Sequence, residues 1–143
     1  MVEKIGEEIV LQKIQYGDLN SRQKENYNFQ KLSALLADYG FNSMWLNDDW
    51  LGADFIACHI DGVSFLKVQL KGRFTIDKKY NGKDIYIAFV QDGKWYLYPH
   101  DKIQAEVTEL DFMKGSISWE KNGTYNWPSI PKKLVHLLEQ YAI

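Results

Sequence analysis

The hydrophobic and polar positions of the chain change period twice, from helical to alternating and back to helical. Between Asn20-Ser21 and Gly40, the residues Tyr27, Asn28, Leu32, Leu35, Leu36 and Tyr39 recur at helical spacing. Asn20 and Ser21 are good N-caps and Gly40 is a good C-terminal stop, so the spacing predicts an amphipathic helix of about five turns. From residue 41 the period drops to two. FNSMWLN reads as a strand, and three pairs of runs follow it. ADFIACHI and VSFLKVQLKG flank Asp61-Gly62, DIYIAFVQ and KWYLYPH flank Asp92-Gly93, and SISWEK and TYNW flank Asn122-Gly123. Asp-Gly and Asn-Gly favour the type I′ turns whose twist matches paired strands, so each pair predicts a hairpin. A short helix is expected after Pro99. A last one starts near Ser129-Ile130-Pro131, with proline in its first turn and Leu134, Leu137, Leu138 and Tyr141 on its buried face. The first 20 residues are ambiguous, because Ile5, Ile9 and Val10 suit a helix that Gly6 and Tyr16-Gly17-Asp18 would cut short.

This order of elements gives an α/β class bordering on α+β, built around one mixed sheet of about five strands. No repeat, low-complexity tract or Pro/Gly/Ser linker divides the 143 residues, so a single domain over 1–143 is expected. That length supports a sizeable core. The net charge of -2 and the isoelectric point near 5.9 exclude a generally basic protein that coats nucleic acid, and any such contact must be a local patch. The single cysteine, Cys58, excludes an intramolecular disulfide and a cysteine-based metal cluster. No apolar run approaches the roughly 18 residues of a membrane span. The acid-bearing N-terminus has no signal-peptide core, and a cytoplasmic location is expected.

The first hairpin can be read to the residue. With Asp61 and Gly62 as the loop, Ile60 faces Val63, Cys58 faces Phe65, Ile56 faces Lys67 and Asp54 faces Gln69. Directly opposed Cβ atoms lie about 4.5–5.5 Å apart and diagonal neighbours roughly 7–8 Å. Lys71 is the diagonal neighbour of Asp54. The other face carries Ala53, Phe55, Ala57, Leu66, Val68 and Leu70. An acid, an amide and an ammonium therefore converge at the open end of one hairpin, and a one-residue slip would separate them. A carboxylate and a carbonyl oxygen are hard ligands suited to Mg²⁺ shared with a phosphate. A bound metal lowers the pKa of its water, and a lysine beside it can position or deprotonate that water. The plainer reading is a surface Asp–Lys pair across strands, with Gln69 merely polar.

A helix ending in Gly-aromatic, a strand, Asp54 opening the next strand, a short hairpin and then Val68-Gln69-Leu70-Lys71 resembles the PD-(D/E)xK nuclease superfamily over roughly residues 20–100. The resemblance implies a restriction-endonuclease-like core, a mixed sheet flanked by helices, with residues 116–143 as a C-terminal hairpin and helix outside it. It implies a metal-dependent DNA endonuclease that hydrolyses phosphodiester bonds, using Mg²⁺ or Mn²⁺ on double-stranded DNA, without a membrane. Asp54 matches the metal-binding acid and Lys71 the catalytic lysine, while Gln69 stands where most members carry an acid, as in the Gln-x-Lys variant. Size and layout are similar to the small homing endonucleases of group I introns. Members often add an acid from the first helix. The expected position falls on Asn28, and Glu25, one turn earlier on roughly the same side, is the candidate, reaching the metal if the helix is shifted, with a solvated helix charge as the alternative. Since one small domain cuts one strand at a time, a homo-oligomer is also expected.

Residues 67–83 hold six cations, Lys67, Lys71, Arg73, Lys78, Lys79 and Lys83, against one acid, Asp77. Lys67, Arg73, Lys78, Lys79 and Lys83 are the DNA-binding candidates, gripping phosphates beside the hairpin's open end; a flexible solvated loop is the alternative. His59 is expected on the apolar face with Phe55, as a core or rim residue. His100 is expected at a strand end facing the site, without an assigned role, and His136 in the packing of the last helix. Cys58 is expected as core filler. The aromatics of SISWEKNGTYNW offer base stacking or a subunit interface, with core packing as the commoner use. The sparse acids leave a second function open, a non-catalytic module on the same fold that binds nucleic acid or protein.

Overall fold

The computed structural model describes residues 2–143. Its centre is a five-stranded mixed sheet whose strands, in spatial order, are β3 (Phe41–Trp50), β4 (Ala53–His59), β5 (Phe65–Leu70), β7 (Ile85–Gln91) and β8 (Lys94–Pro99). Neighbours pair antiparallel except β5 and β7, which run parallel. That parallel pair is joined by residues 71–84, which carry the short strand β6 (Phe74–Asp77) and the 3-10 turn Lys78–Tyr80. The expected mixed sheet of about five strands, flanked by helices, is what the chain forms.

Strand alternation divides the core into two layers. Helix α1 (Ser21–Ala37) lays Leu32 and Leu36 on Phe55, Ala57, Val68 and Ala88. Asn20 caps it, accepting the Gln23 N–H at 2.9 Å while Gln23 returns a carbonyl to the Asn20 N–H, a reciprocal capping box. Tyr27 and Tyr39, at helical spacing with the leucines, stay exposed on the flank. On the opposite face, Ile85, Ile87, Phe89, Tyr96 and Tyr98 pack with Ile103 and Val107 of α2 (His100–Glu109) and Leu134 and Leu138 of α3 (Lys132–Glu139). Each fully buried aliphatic side chain of this kind contributes about 1.5–3 kcal/mol. Ala53, expected beside Phe55, packs in this second layer instead.

Several expectations change. The first residues form no helix: β1 (Val2–Ile5) and β2 (Glu8–Leu11) pair around Gly6, whose φ of 63° makes the turn, and Ile5, Ile9 and Leu11 are exposed. Asp92 (φ 52°) and Gly93 (φ 77°) make the expected type I′ turn. Asp61 does not adopt positive φ. Its carboxylate instead takes the Val63 and Ser64 N–H groups at 2.8 and 2.7 Å, and the loop widens while the register survives. The third hairpin does not form. Ser118–Asn122 coils into a wide helical turn that buries Trp119, and Gly123 (φ 70°) is its left-handed cap. An Asn-Gly pair serves a helix C-terminus as readily as a hairpin. The following strand, β9 (Thr124–Trp127), pairs antiparallel with β6. Trp127 stacks on Phe74 at 4.6 Å, so these aromatics are core. Cys58 is only partly buried and His136 is exposed, against expectation. No helix among the described residues is long and apolar enough to cross a membrane.

Candidate active site

The β4–β5 register is the expected one, with Phe55 opposite Val68, Ile56 opposite Lys67, Ala57 opposite Leu66 and Cys58 opposite Phe65. Ladder pairing stops at Phe55 and Val68, one step short of Asp54 and Gln69. There the Asp54 side chain takes over, its Oδ2 accepting the Leu70 N–H at 2.8 Å. The Lys71 N–H donates to the Ala88 carbonyl at 2.9 Å, so the residue after β5 is still fixed to β7. Asp54 and Lys71 are thus anchored to rigid strands rather than to a loop. The Gln69 amide Nε2 donates to the Leu70 carbonyl at 3.4 Å.

Two recesses meet at these residues. One, of about 450 Å³, is lined by Glu25, Asp54, Gln69 and Lys71 together with Arg22, Asp48, Lys79 and Lys83. The other, of about 390 Å³, shares Glu25, Asp54, Gln69 and Lys71 and adds Tyr16, Lys24 and Asn28. Glu25 reaches the site because the first turns of α1 lie at the open end of the hairpin, and this exposed residue borders both recesses. The expected quartet is therefore brought together. Among the basic candidates, Lys79 and Lys83 line the larger recess. Lys78 is used elsewhere, its Nζ lying 4.5 Å from the centre of the Trp119 ring. Arg73 donates to the Asn126 Oδ1 at 3.2 Å, and Lys67 lies on β5 outside both recesses.

Tyr80 forms the floor beside Lys71. Its ring lies 5.3 Å from the Lys71 Nζ and 5.1 Å from the Lys79 Nζ. Burial, and secondarily the nearby Lys79 ammonium, pull the Lys71 pKa below its ordinary value. The Tyr80 ring is itself packed against Gly52, where an added Cβ would lie 3.0 Å from the ring. Gly52 (φ 88°) and Leu51 (φ 54°) make the β3–β4 turn, so a close approach and a left-handed backbone both favour glycine there.

His100 is fully buried and does not face the site. Its Nε2 accepts the Asp77 N–H at 3.0 Å, its Nδ1 lies 3.0 Å from Asp101, and Asp101 accepts the Gly82 N–H at 3.0 Å. The start of α2 therefore staples both ends of residues 77–82, the segment that delivers Lys79 and Tyr80. His59 is a rim residue, 29% exposed, whose ring nitrogen accepts the Asp61 N–H at 3.1 Å and whose ring meets Phe41. Tyr16, Arg22, Lys24 and Asp48 escaped the sequence reading, since nothing local ties them to Asp54.

As oxygen donors, the Glu25 and Asp54 carboxylates and the Gln69 carbonyl fit a hard divalent cation. Among the described residues no group of three His, Cys, Asp or Glu is placed to hold a metal, so the amide would have to serve as a ligand. No protein-family model and no curated protein sequence matches the chain. Among solved structures, the chain is similar to the bacterial homing endonuclease I-Ssp6803I, with a TM-score of 0.45 and 18% identity over 60% of this chain and 70% of that one. It is also similar to Hjc, a Holliday junction resolvase from Archaeoglobus fulgidus, with a TM-score of 0.39 and 15% identity over 49% of this chain and 74% of that one.

Proposed function

We propose that the chain is a metal-dependent DNA endonuclease of the homing or restriction type, hydrolysing phosphodiester bonds in double-stranded DNA with Mg²⁺ or Mn²⁺. The observation that carries this reading is the convergence of Glu25, Asp54, Gln69 and Lys71 on the ridge between two recesses. Asp54, Gln69 and Glu25 would hold the metal. When bound, the metal supplies Lewis-acid activation of water and neutralises charge on the reacting phosphate. Lys71, with its proton affinity lowered by burial, is suited to orient the attacking water and take its proton. Lys79, Lys83 and Arg22 line the larger recess and suit the flanking phosphates. Cutting both strands calls for a second copy, so a homo-oligomer belongs to the same proposal.

A second reading, a non-catalytic module that binds nucleic acid or protein, is favoured by the lack of a three-residue His/Cys/Asp/Glu metal group among the described residues. A library of supercoiled plasmids with randomised inserts, incubated with the protein, separates the two. The enzyme nicks or linearises members of it with Mg²⁺ and not with chelator, and Asp54→Ala and Lys71→Ala abolish the effect. Retarded but uncut plasmid at low salt would instead support the binding module.

A further inference from the structure

Asn28 stands where an acid would extend the metal site, and its side chain is engaged with another group. Its Nδ2 donates to the Tyr16 hydroxyl at 2.9 Å. A tyrosine hydroxyl has one proton and two lone pairs, so an oxygen that accepts from Asn28 keeps its own proton for a further acceptor. Tyr16 opens the 3-10 turn Tyr16–Asp18 and is 43% exposed. Its ring is braced edge-on by Tyr27 at 5.3 Å, and the Lys24 Nζ lies 5.3 Å from its centre. Tyr16, Lys24 and Asn28 all line the smaller recess, whose wall also includes Glu25, Asp54, Gln69 and Lys71. That recess therefore offers a neutral O–H donor and an ammonium immediately beside the proposed reaction centre.

An acceptor that matches this pair is a phosphodiester oxygen, anionic and without donors of its own. We infer that Tyr16 and Lys24 seat the DNA phosphate next to the scissile one, and that Asn28 is the positioning residue that turns the Tyr16 proton toward it. The inference rests on the nuclease reading above and gives the strand a track, from Arg22, Lys79 and Lys83 in one recess to Tyr16 and Lys24 in the other. It also accounts for an amide at position 28: a carboxylate there would accept the Tyr16 proton and repel the strand.

The test is fluorescence anisotropy of a labelled DNA duplex with the intact protein, in chelator to prevent cleavage, over a salt series. Tyr16→Phe keeps the ring and removes the proton. It should weaken binding by about 10-fold or more, as expected for a hydrogen bond to a charged group, with an unchanged salt slope. Lys24→Ala should lower the slope by about one. Asn28→Ala should weaken binding in the wild-type background and cost nothing further once Tyr16 is phenylalanine. A thermal melt of each variant separates lost contact from lost fold, and Tyr16→Phe leaves the packing in place. If Tyr16→Phe binds as tightly as wild type while Lys79→Ala binds more weakly, the seat is overturned and the nuclease reading stands. If the wild-type protein binds no duplex at the lowest salt, both fall together.

Discussion

The β4–β5 hairpin carries an aspartate at each end, and the two are used in opposite ways. At the closed end, Asp61 accepts from the Ser64 hydroxyl at 2.6 Å and from the Ser64 and Val63 N–H groups at 2.7 and 2.8 Å, and it faces His59 at 3.3 Å. These bonds, the Ser64 hydroxyl first, hold its carboxyl well below the usual carboxylate range. At the open end, Asp54 is pinned by the Leu70 N–H and borders two recesses that also contain Lys71, Gln69 and Glu25. One residue type on one hairpin thus shapes a turn at one end and lines the candidate site at the other. What separates the roles is the company: Asp61 is surrounded by donors from its own turn, whereas Asp54 meets side chains from another strand and from a helix.

The largest effect should come from the open end. Lys71→Ala is expected to lower cleavage by roughly 10²–10⁴-fold, the usual contribution of a positioned proton-transfer group, with a melting temperature close to wild type. Asp61→Ala should do the reverse, lowering the melting temperature and leaving cleavage intact; plasmid cleavage and thermal melts on both variants check the pair. The next effect concerns the amide. Gln69→Glu restores a full negative charge to the proposed metal site, and the Mg²⁺ concentration giving half-maximal cleavage should fall by about tenfold or more. An unchanged Mg²⁺ requirement would remove Gln69 from the metal site.

Gly52→Ala touches no reacting group and tests the floor beneath Lys71. The left-handed backbone costs alanine about 1–2 kcal/mol, and the added methyl must push the Tyr80 ring. Denaturant unfolding should register that loss, and cleavage should fall with it if Tyr80 helps to hold Lys71. The smallest effect is the pH dependence of the closed end. The folded pKa of Asp61 lies below its unfolded one, so its stabilisation is complete above the unfolded pKa and disappears as pH falls through the folded value. The gap in melting temperature between wild type and Asp61→Asn should therefore be constant near neutrality and close in strong acid.

The candidate site was legible in the sequence because the placement of Asp54 and Gln69 follows from one alternation and one turn position. The pairing of Phe55 with Val68 fixes which way Asp54 and Gln69 point, and even a different turn at Asp61 leaves the register intact, since the wider loop is centred on the same pair. The helix from Asn20 was legible for a similar reason, as cap and apolar stripe agree. Where two structures use the same letters, the sequence could not choose. Asn122-Gly123 closes a helical turn instead of a hairpin because burying Trp119 against the core outweighs a local pairing that would leave it exposed. Ile5, Ile9 and Val10 have helical spacing, yet Gly6 turns them into two short strands. Tyr16 from the 3-10 turn, Arg22 from α1 and Asp48 from the edge strand β3 border the candidate site because α1 packs over the sheet, and no spacing in the chain encodes that approach.

The most direct test is cleavage of a randomised DNA library, with the newly made ends read by sequencing, because a sequence-selective enzyme ignores most plasmids. Wild-type protein with Mg²⁺ should produce ends at a defined sequence, and these should vanish with chelator and with Asp54→Ala. Ends no more frequent than those of Asp54→Ala, from a protein that still binds the library, would contradict the claim that the open end of this hairpin carries phosphodiester chemistry.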